Sequence, residues 1–421
     1  MPETKQKLWI ISELFYPEQT STGYFLTEIA KGLVDDMDVH VVCGQPTYSE
    51  HGIKAEQREH WRGMSIFRLP ATSFAKDRLV LRAINTFTLT ISVLVYMLLH
   101  ARKNDNILLV TNPPTFTPVV ALIGKLKGAR LFLLVHDVYP EILDAVGLLR
   151  SRSIVYRLLI NLMRAAFRAF DKIIVLGEDM QTLICQKTGY LVDRVVVIPN
   201  WADHEEIIPV PYEENIFASA NGLHAKTVIQ FSGNIGLTHD IESMLSAAVE
   251  TQGRNDIQYV VAGYGGKAKL VQNQLSDSNG TNVVFLNRQP RELLGAMLSS
   301  ATAVVIPFNS DMKGLSVPSR MYNVLSAGTP IIAMADPESE LAKMVSGNAA
   351  GWVIKPHDSN ELTRLILKIS TPEGLLDASR RGQNGRRAVC AQYTLPDVLQ
   401  SYRQILLGYP ESSAGPCSIS K

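Results

Sequence analysis

In the segment GLSVPSRMYNVLSAGTP, Gly314 to Pro330, Ser319 and Arg320 are adjacent and Asn323 follows three residues later. On a helix this spacing sets a hydroxyl, a guanidinium and an amide near one end, beside free backbone N–H groups, which suits a phosphorylated ligand and above all a diphosphate. Ser316 as N-cap, Pro318 in the first turn and Gly328 with Pro330 as a stop predict a helix from about Val317 to Ala327, its core stripe formed by Met321, Val324 and Leu325. A second phosphate-type loop is FSGNIGLTHDIESML, Phe231 to Leu245. Gly233 and Gly236 permit close backbone approach ahead of a helix beginning near Asp240; the same residues also suit a tight strand-to-helix turn with no ligand. In YPEQTSTGYF, Gly23 enters a helix after the first strand, with Thr20, Ser21 and Thr22 as polar neighbours. In LLVHDVYPE, His136, Asp137 and Glu141 follow a strand, placed either to orient hydroxyls and support charge at a reacting carbon or to cap the next helix. Gly263, Gly265 and Ala268 in VVAGYGGKAKL match the spacing of a dinucleotide fingerprint, but Val283 to Arg288 offers no acid for a ribose, so these glycines read as close packing or cleft lining.

The elements that must hold these groups come from alternation of β-branched runs with helix-period segments, the pattern of parallel sheets covered by helices. Strands are predicted at Leu8 to Ser12, Val39 to Cys43, Ile107 to Thr111, Leu131 to Val135, Ile173 to Leu176 and Val195 to Ile198. A second set follows at Val228 to Phe231, Tyr259 to Ala262, Val283 to Leu286, Ala303 to Ile306, Ile331 to Met334 and Trp352 to Ile354. Pro199, Pro209 and Pro211 mark a crossing between them. The expected fold is α/β, two Rossmann-like doubly wound domains facing across a cleft, with ligands beyond the carboxyl ends of the strands. The first spans 1–200 and the second 201–394. A helix over 395–408 packs back on the first domain, and 409–421, rich in Gly, Pro and Ser, is a disordered tail.

A chain of 421 residues suits two domains, and 41 basic against 40 acidic side chains leave no global field to recruit nucleic acid. Cys43, Cys185, Cys390 and Cys417 show no metal or disulfide spacing, as expected of reduced thiols in the cytoplasm. The start MPETKQKLWIISELFYPE lacks the pattern of a signal peptide. Asn85, Thr86, Thr88, Thr90 and Ser92 interrupt the uncharged interval Ala83 to Leu99, which reads as a buried or membrane-surface helix rather than a span of about 20 apolar residues. Arg157, Arg164 and Arg168 recur at helical spacing beside Leu158, Leu162, Met163 and Phe167, either as a solvated face over a core stripe or as a basic face for an anionic bilayer or acceptor.

Taken together, YPEQTSTG, HDVYPE, VIPNWAD, FSGNIGLTHDIESMLSA, VVAGYG and GLSVPSRMYNVLSAGTPIIA, in this order, resemble family 4 of the retaining glycosyltransferases, which have the two-Rossmann GT-B architecture. The chain is most similar to the bacterial branch that adds amino or deoxy sugars during O-antigen, colanic acid and other exopolysaccharide assembly. The resemblance implies that Gly233, Asn234 and Gly236 receive the diphosphate of a nucleoside diphosphate sugar, Ser319 and Arg320 hold phosphate, Asn323 lies near the ribose, and Gly23 approaches the phosphate. His136 and Asp137 would lie near the transferred sugar and acceptor. It implies no metal and no other cofactor, since helix dipoles and cationic side chains neutralise the leaving diphosphate. The implied acceptor is a lipid-linked saccharide at the inner face of the cytoplasmic membrane, with the enzyme peripheral. Two glutamates of many members are replaced by Leu315 and Asn323, and the Arg and Lys of their diphosphate loop by Asn234 and His239. Glu141, Asp311 and Lys313 remain as further sugar contacts. The rival readings are a nucleotide-sugar epimerase of the same architecture and an inactive nucleotide-sugar-binding scaffold.

Overall fold

The computed structural model describes residues 5–408 except 19, 47–54, 75–78, 191 and 277–281, so the tail expected to be disordered lies outside the described residues. The chain forms two compact units, one of Met1–Pro199 with Pro396–Lys421, the other of Asn200–Leu395.

In the first unit the elements run β1 (Lys7–Ile11), α1 (Ser21–Leu33), β2 (Asp38–Cys43), β3 (Arg58–Trp61), β4 (Met64–Arg68), α2 (Leu79–His100) and β5 (Asn106–Val110). They continue with α3 (Phe116–Lys127), β6 (Arg130–Val135), α4 (Glu141–Ala145), α5 (Ile154–Phe167), β7 (Lys172–Val175), α6 (Glu178–Thr188) and β8 (Val195–Val197). The sheet order is β3-β4-β2-β1-β5-β6-β7-β8, parallel except where β3 meets β4. The central strands are continuous apolar runs such as NILLV and RLFLLV, because helices cover both faces of a parallel sheet. The hairpin β3-β4 is absent from the sequence reading. REHW is a charged edge strand without an apolar face, and its turn, Arg62 and Gly63 at φ 47° and 81°, lacks the Asn-Gly signature.

The second unit runs α7 (Ile216–Ala220), β9 (Thr227–Asn234), α8 (Ile241–Glu250), β10 (Ile257–Tyr264), α9 (Ala268–Ser276), β11 (Val283–Leu286), α10 (Leu294–Ser299) and β12 (Ala303–Pro307). After these come α11 (Arg320–Ser326), β13 (Ile331–Met334), α12 (Glu340–Gly347), β14 (Gly351–Ile354), α13 (Ser359–Ile369) and α14 (Pro372–Gln392). Its parallel sheet is ordered β11-β10-β9-β12-β13-β14. Phe231, Tyr259, Val261, Val305 and Ile332 project into one core with α8 and α13. α15 (Leu395–Leu407) belongs with the first unit: Arg403 donates to Asp36 Oδ2 at 2.7 Å and to Gly32 O at 2.7 Å, and Asn106 donates to Leu406 O at 3.1 Å.

The helix over Val317 to Ala327 is shorter than expected. α11 begins at Arg320, and Ser319 rather than Ser316 is its N-cap residue. Pro318 disfavours helical backbone at Val317, so the first turn cannot close until the proline is passed. Its end agrees with the sequence, Gly328 taking the left-handed conformation at φ 73°.

Candidate functional site

Each sheet has a switch point, where successive connections leave in opposite directions and the loops beyond the strand ends part. In the second unit it falls between β9 and β12. The loops after these strands are stitched together there: Asn309 N bonds to Thr238 O at 3.0 Å, Asn309 Nδ2 to Leu237 O at 2.8 Å, and Asp240 N to Pro307 O at 2.9 Å. Asp240 caps α8 through Ser243 N.

Arg320, first residue of α11, crosses to the end of β9. Its Nη1 donates to Ser232 O at 2.9 Å and its Nη2 to Asn234 O at 3.2 Å, so the guanidinium clasps the backbone on both sides of Gly233. A side chain is excluded at Gly233: its φ is 122°, and a Cβ would lie 3.2 Å from the guanidinium carbon. The ring of Phe231 sits under the cation at 4.8 Å. Desolvation lowers the Arg320 pKa to about 10, which leaves it charged at neutral pH. Two carbonyls occupy part of a five-donor fork, and the remaining N–H groups are chemically suited to an oxyanion. His239 closes the loop from within, buried edge-on to Phe231 at 5.7 Å. Burial, then the charges of Arg320 and Lys267, hold its pKa well below the usual histidine range, so the imidazole is neutral. Lys267 Nζ donates to His239 O at 2.7 Å and pairs with Glu242.

Gly263 and Gly265 are packing residues in this loop. Gly263 pairs with Gly233, and a Cβ on it would fall 1.9 Å from Gly233 O. One on Gly265 would fall 2.4 Å from Asn234 Oδ1. The dinucleotide-like spacing thus serves close approach of β10 to β9.

In the first unit the switch lies between β1 and β5, and the loops beyond β1, β5 and β6 bring a polar group together. His136 Nδ1 lies 3.3 Å from Thr22 Oγ1, and Asn112 Nδ2 donates to Asp137 Oδ2 at 2.8 Å. The Thr111 hydroxyl accepts from His136 N at 3.2 Å. Desolvation lowers the His136 pKa to about 4 against the opposing pull of Asp137, leaving a neutral ring beside a carboxylate, and Nε2 has no partner among the described residues. Neither residue caps a helix: α4 begins after Pro140. Thr111, read only as a strand end, and Asn112 were missed as site residues, although they end an apolar run just before a Pro-Pro pair, a signal of a loop at a strand's carboxyl end. Gly23 lies in the first turn of α1, where a Cβ would meet Glu18 O at 2.7 Å and Thr20 supplies the cap.

The other expected contacts lie as follows. Glu141 binds the buried Lys187 at 2.8 Å. Asp311 is exposed in a short turn, Lys313 pairs with Glu338, and Asn323 is half-buried on α11. Leu315 is buried, at 7% exposure. Arg164 and Arg168 donate to Lys187 O and Thr188 O, the last carbonyls of α6, so of the three expected to form a basic face Arg157 alone is free of these helix-capping bonds.

Two parallel-sheet units of this topology, with a helix at the carboxyl end, are the architecture of the GT-B glycosyltransferases. Comparison with known proteins agrees. The family model described as glycosyl transferase 4-like domain matches residues 22–201, and that of glycosyl transferases group 1 matches residues 213–388. Together the two models span most of the chain, which is a glycosyltransferase. It is 28% identical over 388 residues to WbjE of Pseudomonas aeruginosa, named as a glycosyltransferase, covering 92% of this chain and 94% of that one. WcaI of Escherichia coli K12, named as a colanic acid biosynthesis glycosyl transferase, is 23% identical over 352 residues, 80% of this chain and 85% of the relative. Among solved structures, sucrose-phosphate synthase of Thermosynechococcus elongatus gives a TM-score of 0.73 at 16% identity, with 96% of this chain and 100% of that chain covered. Anabaena HepE in complex with UDP and glucose gives 0.71 at 16% identity and the same coverage.

Proposed function

We propose that this glycosyltransferase moves a sugar from a nucleoside diphosphate donor to a lipid-linked saccharide at the inner face of the cytoplasmic membrane, with retention of configuration, in the bacterial branch that builds surface polysaccharides. The observation that carries the donor half is the Arg320 guanidinium fixed at Ser232 O and Asn234 O, on both sides of Gly233, with N–H donors beyond those two bonds. Gly233, Asn234 and Gly236 receive the diphosphate, Ser319 and Arg320 hold phosphate, and Asn323 serves the ribose. As the sugar–oxygen bond breaks, negative charge collects on the diphosphate, and a cation already in place stabilises it without reorganisation. No metal is needed in this scheme. The acceptor hydroxyl attacks the face that the leaving group vacates and gives its proton to the departing diphosphate oxygen, so no protein nucleophile is required. Neutral His136 and neighbouring Asp137 orient hydroxyls of the transferred sugar and acceptor. The names of WcaI and of the HepE complex support a polysaccharide pathway and a UDP-type donor.

A thermal-shift panel of UDP-, GDP- and dTDP-sugars tests donor binding, since a ligand held only by the folded state at 100 times its Kd adds about 2.7 kcal/mol. Stabilisation by one nucleotide series in EDTA is expected; a requirement for added divalent ion would overturn the metal-free scheme. Incubation of donor alone should leave its sugar unchanged, and conversion to an epimer would reassign the enzyme.

A further inference from the structure

The first unit exposes an apolar surface that its own core does not use. Leu89, Val93 and Met97 of α2 are buried against the unit, yet on the opposite side Val80, Ile84, Phe87, Ile91, Val95 and Leu98, spaced by threes and fours, are exposed, Phe87 by 63% and Val95 by 50%. A surface helix ordinarily gives that side to charge. Although α2 is long and apolar enough to cross a membrane, only 22% of its most apolar stretch is buried. α3 packs between α2 and α5, adding exposed Leu122 and Leu126, while α5 adds Ile154, Leu158 and Leu162. Single exposed leucines are ordinary; three adjacent helices presenting them together mark an interaction surface. The charges on the helices themselves have one sign, Asp171 meeting Lys125 from outside them. α2, α3 and α5 contain no aspartate or glutamate, whereas Arg82, Lys127 and Arg157 lie on them, and Arg102, Lys103, Arg150 and Arg152 flank them.

We propose that α2, α3 and α5 form the face by which this protein lies on an anionic phospholipid bilayer, with α2 in the plane of the interface rather than across it. Apolar side chains enter the acyl boundary and the cations meet lipid phosphates. Spanning would tear out the other side of α2, where the Asn85 amide bonds to Phe74 N and O, Thr90 bonds to Thr115, and Tyr96 packs on Trp9. A second copy of the chain fits the face poorly, since its cations would oppose their own kind. The inference rests on the reading of a membrane-borne acceptor only for its purpose, not for its physics.

The test is co-sedimentation of the full chain with phosphatidylcholine vesicles with and without phosphatidylglycerol, comparing wild type with Ile91→Glu/Val95→Glu, positions 44% and 50% exposed. The wild type should pellet with the anionic vesicles and bind neutral ones at least about tenfold more weakly, high salt or alkaline carbonate should release it, and the double variant should stay in the supernatant with unchanged melting temperature. Wild type failing to pellet, the variant pelleting equally, resistance to carbonate, or a change of oligomeric mass in the variant would each overturn the proposal. Donor-induced thermal shift, measured in the same samples without vesicles, separates the two readings: lost vesicle binding with an intact shift leaves the transferase scheme standing, and the reverse leaves the bilayer face standing.

Discussion

Arg320 concentrates several demands in one side chain, because it must stay charged, hold the β9 terminus and keep donors for phosphate. Arg320→Ala should lower turnover by about 10²–10³, equivalent to about 2.7–4 kcal/mol of transition-state stabilisation, with the fold retained by circular dichroism. Arg320→Lys keeps a charge but cannot fork across Ser232 O and Asn234 O, so it should recover only a small part, and near-normal kcat in either variant would remove Arg320 from the chemistry. The neutral histidines give a pH signature. His136 has a folded pKa of about 4, below the ordinary 6.5, so between those values the unfolded chain binds more protons and stability falls as pH falls. His239 is depressed in the same direction. His136→Gln should therefore reduce the stability lost between pH 7 and pH 5 by about 1–2 kcal/mol, read from urea denaturation at the two pH values; an unchanged difference would mean that His136 is solvated in the folded state.

At the scale of elements, loops are held by bonds that sequence does not announce. The segment carrying His136 and Asp137 is pinned by Lys187, whose amine reaches the Tyr139 carbonyl and the Glu141 carboxylate at 2.5 and 2.8 Å while its side chain is 2% exposed. Burial lowers the Lys187 pKa, with Glu141 opposing the shift. Lys187→Met leaves the carboxylate unmatched and should destabilise by about 3–5 kcal/mol, whereas Lys187→Met/Glu141→Leu should cost markedly less, since replacing both charges removes the desolvation along with the attraction. Equal losses in the single and double variants would show that Lys187 acts by packing alone. Legibility follows the same physics. Val283–Leu286 and Ile331–Met334 are apolar runs bounded by turns, and the sequence places both to the residue. The start of α11 was misplaced because a proline two residues after a good cap reads as a helix opening, while backbone sterics push the opening past it. REHW was invisible because an edge strand needs no apolar face. Gly233 and His239 were legible as types, but not the guanidinium clasp, which requires a residue distant in sequence to cross a strand.

On the scale of the whole molecule, the chain finishes its first unit last. α15 returns after the second unit is complete, and its approach to α1 is closer than ordinary side chains permit: a Cβ on Gly32 would lie 2.3 Å from Leu399 Cδ1. Leu399, Tyr402 and Leu406 are buried in that contact, and the Leu406 carbonyl receives both Asn106 and Arg130 at the amino edge of β5 and β6. A glycine inside a helix is otherwise unfavourable relative to alanine, so intrinsic propensity alone makes Gly32→Ala stabilising by about 1 kcal/mol. Overpacking acts oppositely and is larger, about 1–3 kcal/mol, because α1 and α15 are also tied by Arg403 to Asp36 and cannot separate freely. Gly32→Ala should therefore destabilise the protein by about 1–2 kcal/mol, and Gly32→Ala/Leu399→Ala should lose less than the two single changes summed, because the truncated leucine clears space for the new methyl. Chemical denaturation of the four proteins measures the coupling. If Gly32→Ala instead raises stability, the two helices stand farther apart than described and α15 is a loosely attached tail rather than the closing element of the first unit.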